Sequence, residues 1–213
     1  MDNCCYKGYN KTFNLKGAKR ELRRYQKKGA KGSTRVLIDF FATKDLHNKS
    51  LLDIGGGIGV IQLELLKKGL HKVSSVDASQ HYLDISKQEA IQQGMADKVD
   101  YQYLNFVEAA KNLGTFEIVT LDKVVCCYDD YNALIDNVIA KSNTYIALSA
   151  PRDGFIPSIL SKTLNFVLNL FGNPYQSYIH SLKAIESQIT DAGFELKEKK
   201  SSFPWFVYLY EKK

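Results

Sequence analysis

The residues best suited to chemistry in this chain form one run, Leu51-Leu52-Asp53-Ile54-Gly55-Gly56-Gly57-Ile58-Gly59. An apolar strand ends in an acid and gives way to a glycine turn that opens a helix. Side chains at Gly55 and Gly57 would keep a ligand from lying against the backbone, and the turn needs torsion angles that glycine takes cheaply. The helix start presents free N–H groups. Asp53, at the carboxyl end of the strand, is placed to hold an ammonium group of the ligand, directly or through water. A dinucleotide fingerprint is the obvious competitor, but its third glycine would fall on Val60, and the run reads G-x-G-x-G instead, which suits a ligand lacking a pyrophosphate. The next strand, Val73-Ser74-Ser75-Val76-Asp77, ends in an acid 18 residues beyond Gly59. A carboxylate there can accept both hydroxyls of a ribose. The plainer alternative is that Asp77 caps the helix starting near Ser79.

Positioning these groups takes a sheet. Short apolar runs at 51–54, 72–76, 99–104, 116–121 and 144–148 read as strands, and 60–68, 80–93, 106–112 and 131–141 as helices between them. Such alternation predicts parallel strands joined by right-handed crossovers, with helices on both faces. Near the end, a helix over Ser181 to Ala192 stops at Gly193, and runs at 194–199 and 205–210 are separated by Ser201, Ser202, Phe203 and Pro204. A connection that short allows only an antiparallel pair.

Two regions are additional to this scheme. From Asn14 to Lys28, Leu15, Ala18, Leu22 and Tyr25 make an amphipathic stripe, and a second helix beginning near Ser33, a possible cap, carries Val36, Leu37, Phe40 and Phe41 inward. Residues 1–35 hold eleven Lys and Arg against Asp2 and Glu21, whereas the remainder has 18 basic and 21 acidic residues. The formal net charge of +6 therefore belongs to an N-terminal arm. It could meet an anionic substrate, RNA or lipid headgroups, or be a solvated helix face. After the fifth strand, Ile156, Ile159, Leu160, Leu164, Val167, Leu168 and Phe171 fall on one helical face and Ser158, Ser161, Lys162, Asn165 and Asn169 on the other. This predicts a lid over the ligand-binding edge of the sheet or an element lying against lipid; the alternative is an ordinary crossover helix. At 213 residues and 45% hydrophobic, the chain divides into a basic helical arm over 1–45 and one domain over 46–213, with the lid at about 152–178.

The cysteines form two adjacent pairs, Cys4-Cys5 and Cys126-Cys127, which argues against a disulfide scaffold. The spaced C-x-x-C pattern of zinc sites is absent, so no metal is expected. With no charged start followed by an apolar run, a cytoplasmic location is expected.

From about Leu51 onward the chain resembles class I S-adenosylmethionine-dependent methyltransferases. The resemblance implies an α/β, Rossmann-like seven-stranded sheet of order 3-2-1-4-5-7-6 with its last strand antiparallel. It implies S-adenosylmethionine as cofactor, with Asp53, Gly55, Gly57 and Gly59 around the methionine moiety and Asp77 on the ribose. Gly56, Ala78, Phe106, Leu121 and Asp122 complete the expected cofactor site. Asn105 stands where the family often has an acid, and its amide oxygen can accept a hydrogen bond from the adenine amine. The run Thr120 to Tyr128 follows the fourth strand, where the family lines its methyl-transfer channel. With the Tyr9 to Tyr25 region, it is similar to the magnesium protoporphyrin IX O-methyltransferase group. That group uses an arm tyrosine, matched first by Tyr9, and a histidine before the tyrosine matching Tyr128; Cys127 stands in the place of that histidine.

Methyl transfer gains mainly from alignment and water exclusion. A carboxylate acceptor needs no general base, whereas a phenol or amine acceptor uses one, for which Asp122, Tyr128 and His180 are candidates. The ordinary alternative for each is a satisfied polar group at a helix end or core edge. The acceptor expected is a small, fairly apolar molecule, with a carboxylate to meet the basic residues. The alternatives are an RNA methyltransferase using the arm, and a non-catalytic protein binding the cofactor or anionic lipid.

Overall fold

The computed structural model describes residues 4–213, and side chains from residue 8 onward, so the side chains of Cys4, Cys5 and Lys7 lie outside it. Seven strands, β1 (Ser50–Ile54), β2 (Lys72–Asp77), β3 (Val99–Tyr103), β4 (Phe116–Asp122), β5 (Ser142–Pro151), β6 (Phe194–Ser202) and β7 (Trp205–Lys212), form one sheet. Their order is β3-β2-β1-β4-β5-β7-β6. Strands β1 to β5 are parallel and β7 runs antiparallel to both β5 and β6, as expected. Chain direction across the sheet reverses between β1 and β4, so the loops after these neighbouring strands diverge and leave a crevice.

Successive side chains of a strand face opposite sides of the sheet, and the apolar runs use both. Leu51, Ile118 and Ala147 join one core with Leu37, Phe40 and Phe41, whereas Leu52, Val119, Ile146 and Leu148 join the other with Leu134, Ile185 and Ile189. The helices over these faces are α3 (Gly32–Phe40), α4 (Val60–Lys67), α5 (Gln80–Gln92), α6 (Phe106–Ala109), α7 (Tyr131–Lys141) and α9 (Leu182–Asp191). Ahead of them come α1 (Cys4–Thr12) and α2 (Leu15–Lys28), and between β5 and α9 lies α8 (Phe155–Leu170). Thus α3 belongs to a sheet face, with Leu37 fully buried. The α2 stripe instead rests on α5, where Ala18 and Tyr25 share a third cluster with Tyr82 and Ile85.

Helix α1 falls within the helical arm expected over 1–45, although no separate element was placed there. Three local expectations need correction. Ser33 does not cap α3: Lys31 occupies that position and Ser33 lies inside the helix, freeing its hydroxyl for a long-range bond. The predicted helix over 106–112 is a short α6 followed by a 3₁₀ turn, Ala110–Asn112. The hairpin strands run further than the apolar pattern, leaving Phe203-Pro204 as the turn. The helix after β5 is present, but its orientation differs from that of a lid resting on its apolar side. Its side chains Ser161 and Asn165 face the protein, bonded to the backbone of Ser177, while Ile156, Leu160 and Phe166 point outward.

Candidate active site

The crevice at the carboxyl ends of β1, β2 and β4 is a cavity of about 560 Å³. Its lining joins the glycine turn to residues from the arm and the hairpin tip. The size lies within the roughly 300–1,000 Å³ of small-molecule sites.

On the turn side, Asp77 ends β2 with its carboxylate held by two backbone donors: Ser79 N–H at 2.7 Å on one oxygen and Gly57 N–H at 2.9 Å on the other. Burial outweighs these bonds and pushes the carboxyl up to about 6. Each oxygen keeps lone-pair capacity for a further donor, so an adjacent pair of hydroxyls fits. Gly57 has φ 57°, and a Cβ there would meet only Tyr82 Cδ1, at 3.7 Å, in ordinary contact. It is the position where the backbone stays bare beside the cavity. At Gly55 a Cβ would lie 2.4 Å from Val124 Cγ2, and at Gly59 2.3 Å from Ser86 Oγ, so both positions are closed to a side chain by internal packing, and Gly55 also lines the cavity.

Asp53 reaches the cavity wall but is buried beneath the turn. Its oxygens accept bonds from Thr120 Oγ1 at 2.6 Å and Gln62 Nε2 at 3.0 Å. Gln62 also bonds Ser75 Oγ at 2.7 Å, tying β1, β2, β4 and α4 together. Burial raises the Asp53 carboxyl to about 7. Gln62 was not foreseen, since a glutamine on an apolar helix face looks like a surface residue until its partners are known.

Of the remaining expected cofactor residues, Gly56, Ala78, Phe106 and Asp122 line the cavity, whereas Gly59, Asn105 and Leu121 do not. Leu121 is wholly buried in the core. The Asn105 side chain caps α6, its oxygen accepting from Val107 N–H and from the Tyr128 hydroxyl, each at 3.2 Å.

The other side of the cavity is assembled from distant segments. The Tyr9 hydroxyl donates to the Cys127 carbonyl at 2.6 Å, pinning α1 across the loop after β4. Tyr9 and Phe13 make edge-on ring contacts with Tyr175, whose hydroxyl lies 3.3 Å from Cys127 Sγ. Hydrogen bonds from Cys126 and Tyr175 hold the Cys127 thiol below the usual thiol range. Tyr128 lines the cavity beside them, and Phe203 and Trp205 arrive from the hairpin. His180 lies outside the lining; its Nε2 is 2.8 Å from the Tyr128 carbonyl and its ring tilts against Tyr131.

Asp122 is saturated rather than poised. It accepts from Ser33 at 2.8 Å and Ser149 at 2.6 Å on one oxygen, and from Thr34 at 2.5 Å and Lys123 at 3.1 Å on the other. It clasps α3 to the ends of β4 and β5. Lys123 adopts a left-handed backbone conformation, φ 64°, next to this clasp, the kind of local strain that surrounding structure must hold in place. Arg24 and Lys31 also line the cavity, and neither pairs with an acid among the described residues. The described residues contain no group of three or more His, Cys, Asp or Glu that could hold a metal ion.

A parallel sheet with a glycine turn and a strand-end acid at its switch point defines the α/β class that takes a nucleoside-bearing ligand. A family model described as a methyltransferase domain matches residues 24–199, and the chain belongs to that family; its seven-stranded sheet has the strand order of the class I methyltransferase fold. A magnesium protoporphyrin IX methyltransferase from Synechocystis PCC 6803, crystallised with bound SAH, superimposes with a TM-score of 0.72 over 98% of this chain and 100% of that one, at 18% identity. An O-methyltransferase family protein from Burkholderia thailandensis gives 0.66 over 84% of this chain and 56% of that one, at 14% identity. These likenesses concern the fold. The ribosomal protein L11 methyltransferase of Vibrio parahaemolyticus is 31% identical over 72 residues, and the chain spans about a quarter, 24%, of the length of that relative.

Proposed function

We propose that the cavity seats S-adenosylmethionine with its ribose on Asp77 and its methionine end against Gly57, and that the methyl group passes to a small, fairly apolar acceptor bearing a carboxylate. The observation that carries this reading is the continuity of one cavity from the turn and Asp77 to an aromatic wall with unpaired Arg24 and Lys31 at its edge. S-adenosylmethionine supplies a methyl group on a sulfonium, open to in-line attack by an acceptor atom. This chain's residues supply alignment and dryness. Asp77 fixes the sugar, the bare backbone at Gly57 permits close approach, and Tyr9, Phe13 and Tyr128 exclude water. Arg24 and Lys31 attract an anionic acceptor. None of the four histidines lines the cavity, Asp122 has both oxygens engaged, and Glu21, the carboxylate that the arm brings to the lining, accepts from the Tyr82 hydroxyl at 3.0 Å. That favours an acceptor that is already ionised, since a carboxylate needs no base. Tyr9, Cys127 and Tyr128 are then the residues beside the acceptor.

The test pairs calorimetry with S-adenosylhomocysteine and a transfer assay from methyl-labelled S-adenosylmethionine to small carboxylic acids, RNA and ribosomal protein. Heat of binding together with labelling of small acids is expected. Labelling of nucleic acid or protein alone would remove the small-acid reading while leaving the cofactor assignment intact, and absence of heat from folded protein would remove both.

A further inference from the structure

Helix α8 is built inside out. Its polar side chains Ser161 and Asn165 turn toward the body, where Ser161 Oγ donates to the Ser177 carbonyl at 2.6 Å. Asn165 pairs with the same residue twice, donating to its carbonyl and accepting from its N–H, each at 2.8 Å. Its apolar side is left in water: Phe155, Ile156, Leu160, Phe166, Leu170 and Phe171 are 69–81% exposed, and no α8 residue is buried. A crossover helix in an α/β protein buries its apolar stripe. Here hydrogen bonds set the opposite rotation, and one continuous apolar face remains without cover, larger than scattered surface hydrophobes explain.

Charge decides what fits that face. Between Asp153 and Glu186 the chain carries no acidic residue, and Lys162 lies on the helix itself. The carboxyl end of α8 is tied to the basic arm, Lys11 Nζ donating to the Gly172 carbonyl at 2.8 Å and Asn173 bonding Thr12 at 2.9 Å. From there α2 continues with exposed Lys16, Lys19, Arg20 and Arg23. Sixteen residues of helix extend about 24 Å, and no described helix is long and apolar enough to cross a membrane. An exposed apolar helical face whose carboxyl end is tied to a basic arm, on a helix too short to span, has the form of an interfacial helix. We propose that α8 and the basic arm dock this protein on an anionic lipid bilayer, α8 lying in the plane of the headgroups. This docking does not depend on the identity of the methyl acceptor.

Flotation with vesicles of phosphatidylcholine, alone and mixed with phosphatidylglycerol, tests it on the intact chain. The wild type is expected to float with the anionic vesicles. The variant Ile156→Gln, Leu160→Gln, Phe166→Gln keeps the charge and a helix-compatible sequence, and because none of the three side chains is buried its melting temperature should hold. Its bound fraction should fall roughly tenfold. Flotation unchanged in the triple variant would reduce the association to basic residues alone and overturn the proposal. Absence of flotation by the wild type would overturn it too. So would a wild-type dimer, seen by sedimentation without lipid and abolished in the variant, since the face would then belong to a second copy.

Discussion

The two sides of the cavity are made differently. The turn side is continuous in sequence and cross-braced: residues 53 to 57 and Asp77 are joined by backbone-to-carboxylate bonds, and Gln62 links Asp53 to Ser75 beneath them. The acceptor side brings together Tyr9, Arg24, Lys31, Cys127 and Trp205 from five separate segments, held by single contacts such as the Tyr9 hydroxyl on the Cys127 carbonyl. Substitutions on the turn side should therefore abolish binding or folding. Those on the acceptor side should change preference and rate while the fold stands.

The largest effect should follow Asp77→Ala, which removes both oxygens proposed to receive the ribose. Charged hydrogen bonds of this kind contribute about 1.5–3 kcal/mol each, so affinity for S-adenosylhomocysteine should fall on the order of a hundredfold by calorimetry, with acceptor preference unaltered in whatever turnover remains. The same carboxyl, raised to about 6 by burial, makes binding pH-dependent. Ribose hydroxyls donate to the ionised form, so wild-type affinity should weaken as pH falls through about 6, and the variant should lose that dependence. For stability the sign is opposite. Asp53 and Asp77 have folded-state values raised to about 7 and about 6, so the stability tied to their protonation is present at low pH and lost as pH rises through those values. The ligand-free melting temperature should drop over that interval, and Asp53→Asn, which cannot ionise, should flatten the drop.

Next in size is Gly55→Ala. A Cβ 2.4 Å from Val124 Cγ2, at φ 62°, should cost about 1–3 kcal/mol in denaturant unfolding. Gly57→Ala, whose Cβ would make only an ordinary contact with Tyr82 Cδ1 at 3.7 Å, should cost less stability and more cofactor affinity. Equal losses in the two variants would erase the division drawn here between packing and binding glycines. On the acceptor side, Arg24→Ala with Lys31→Ala should raise KM for an acidic acceptor roughly tenfold and leave cofactor affinity alone, as expected for losing exposed charge–charge contacts of about 1 kcal/mol. The smallest change should be Tyr9→Phe, which removes one hydrogen bond of about 1 kcal/mol and should slow turnover severalfold. If Tyr9→Phe instead lowered the melting temperature as much as Gly55→Ala, the acceptor side would be as braced as the turn.

Where the motif was local, the sequence was sufficient. The parallel strands, the antiparallel hairpin and the glycine turn follow from short apolar runs, glycine placement and short connections, all properties of residues near one another in the chain, whereas the strand order was implied by the family resemblance. The roles of Asp122, Asn105 and Asp53 depended on partners far away. Asp122 meets Ser33, Thr34 and Ser149 across 89, 88 and 27 residues, and no spacing rule announces such a clasp. Ser33 looked like a helix cap for the same reason: a hydroxyl near a helix start has a local partner by default, and only the close approach of α3 to the end of β4 supplies a better one.

Helix α8 marks the division most clearly. The amino-acid order alone determined that a two-faced helix follows the fifth strand, because helical periodicity sorts side chains by position whatever surrounds them. Which face turns inward was a tertiary decision, made by the Ser177 backbone meeting Ser161 and Asn165. Buried backbone polar groups must find partners, and here that requirement prevailed over burying the apolar stripe.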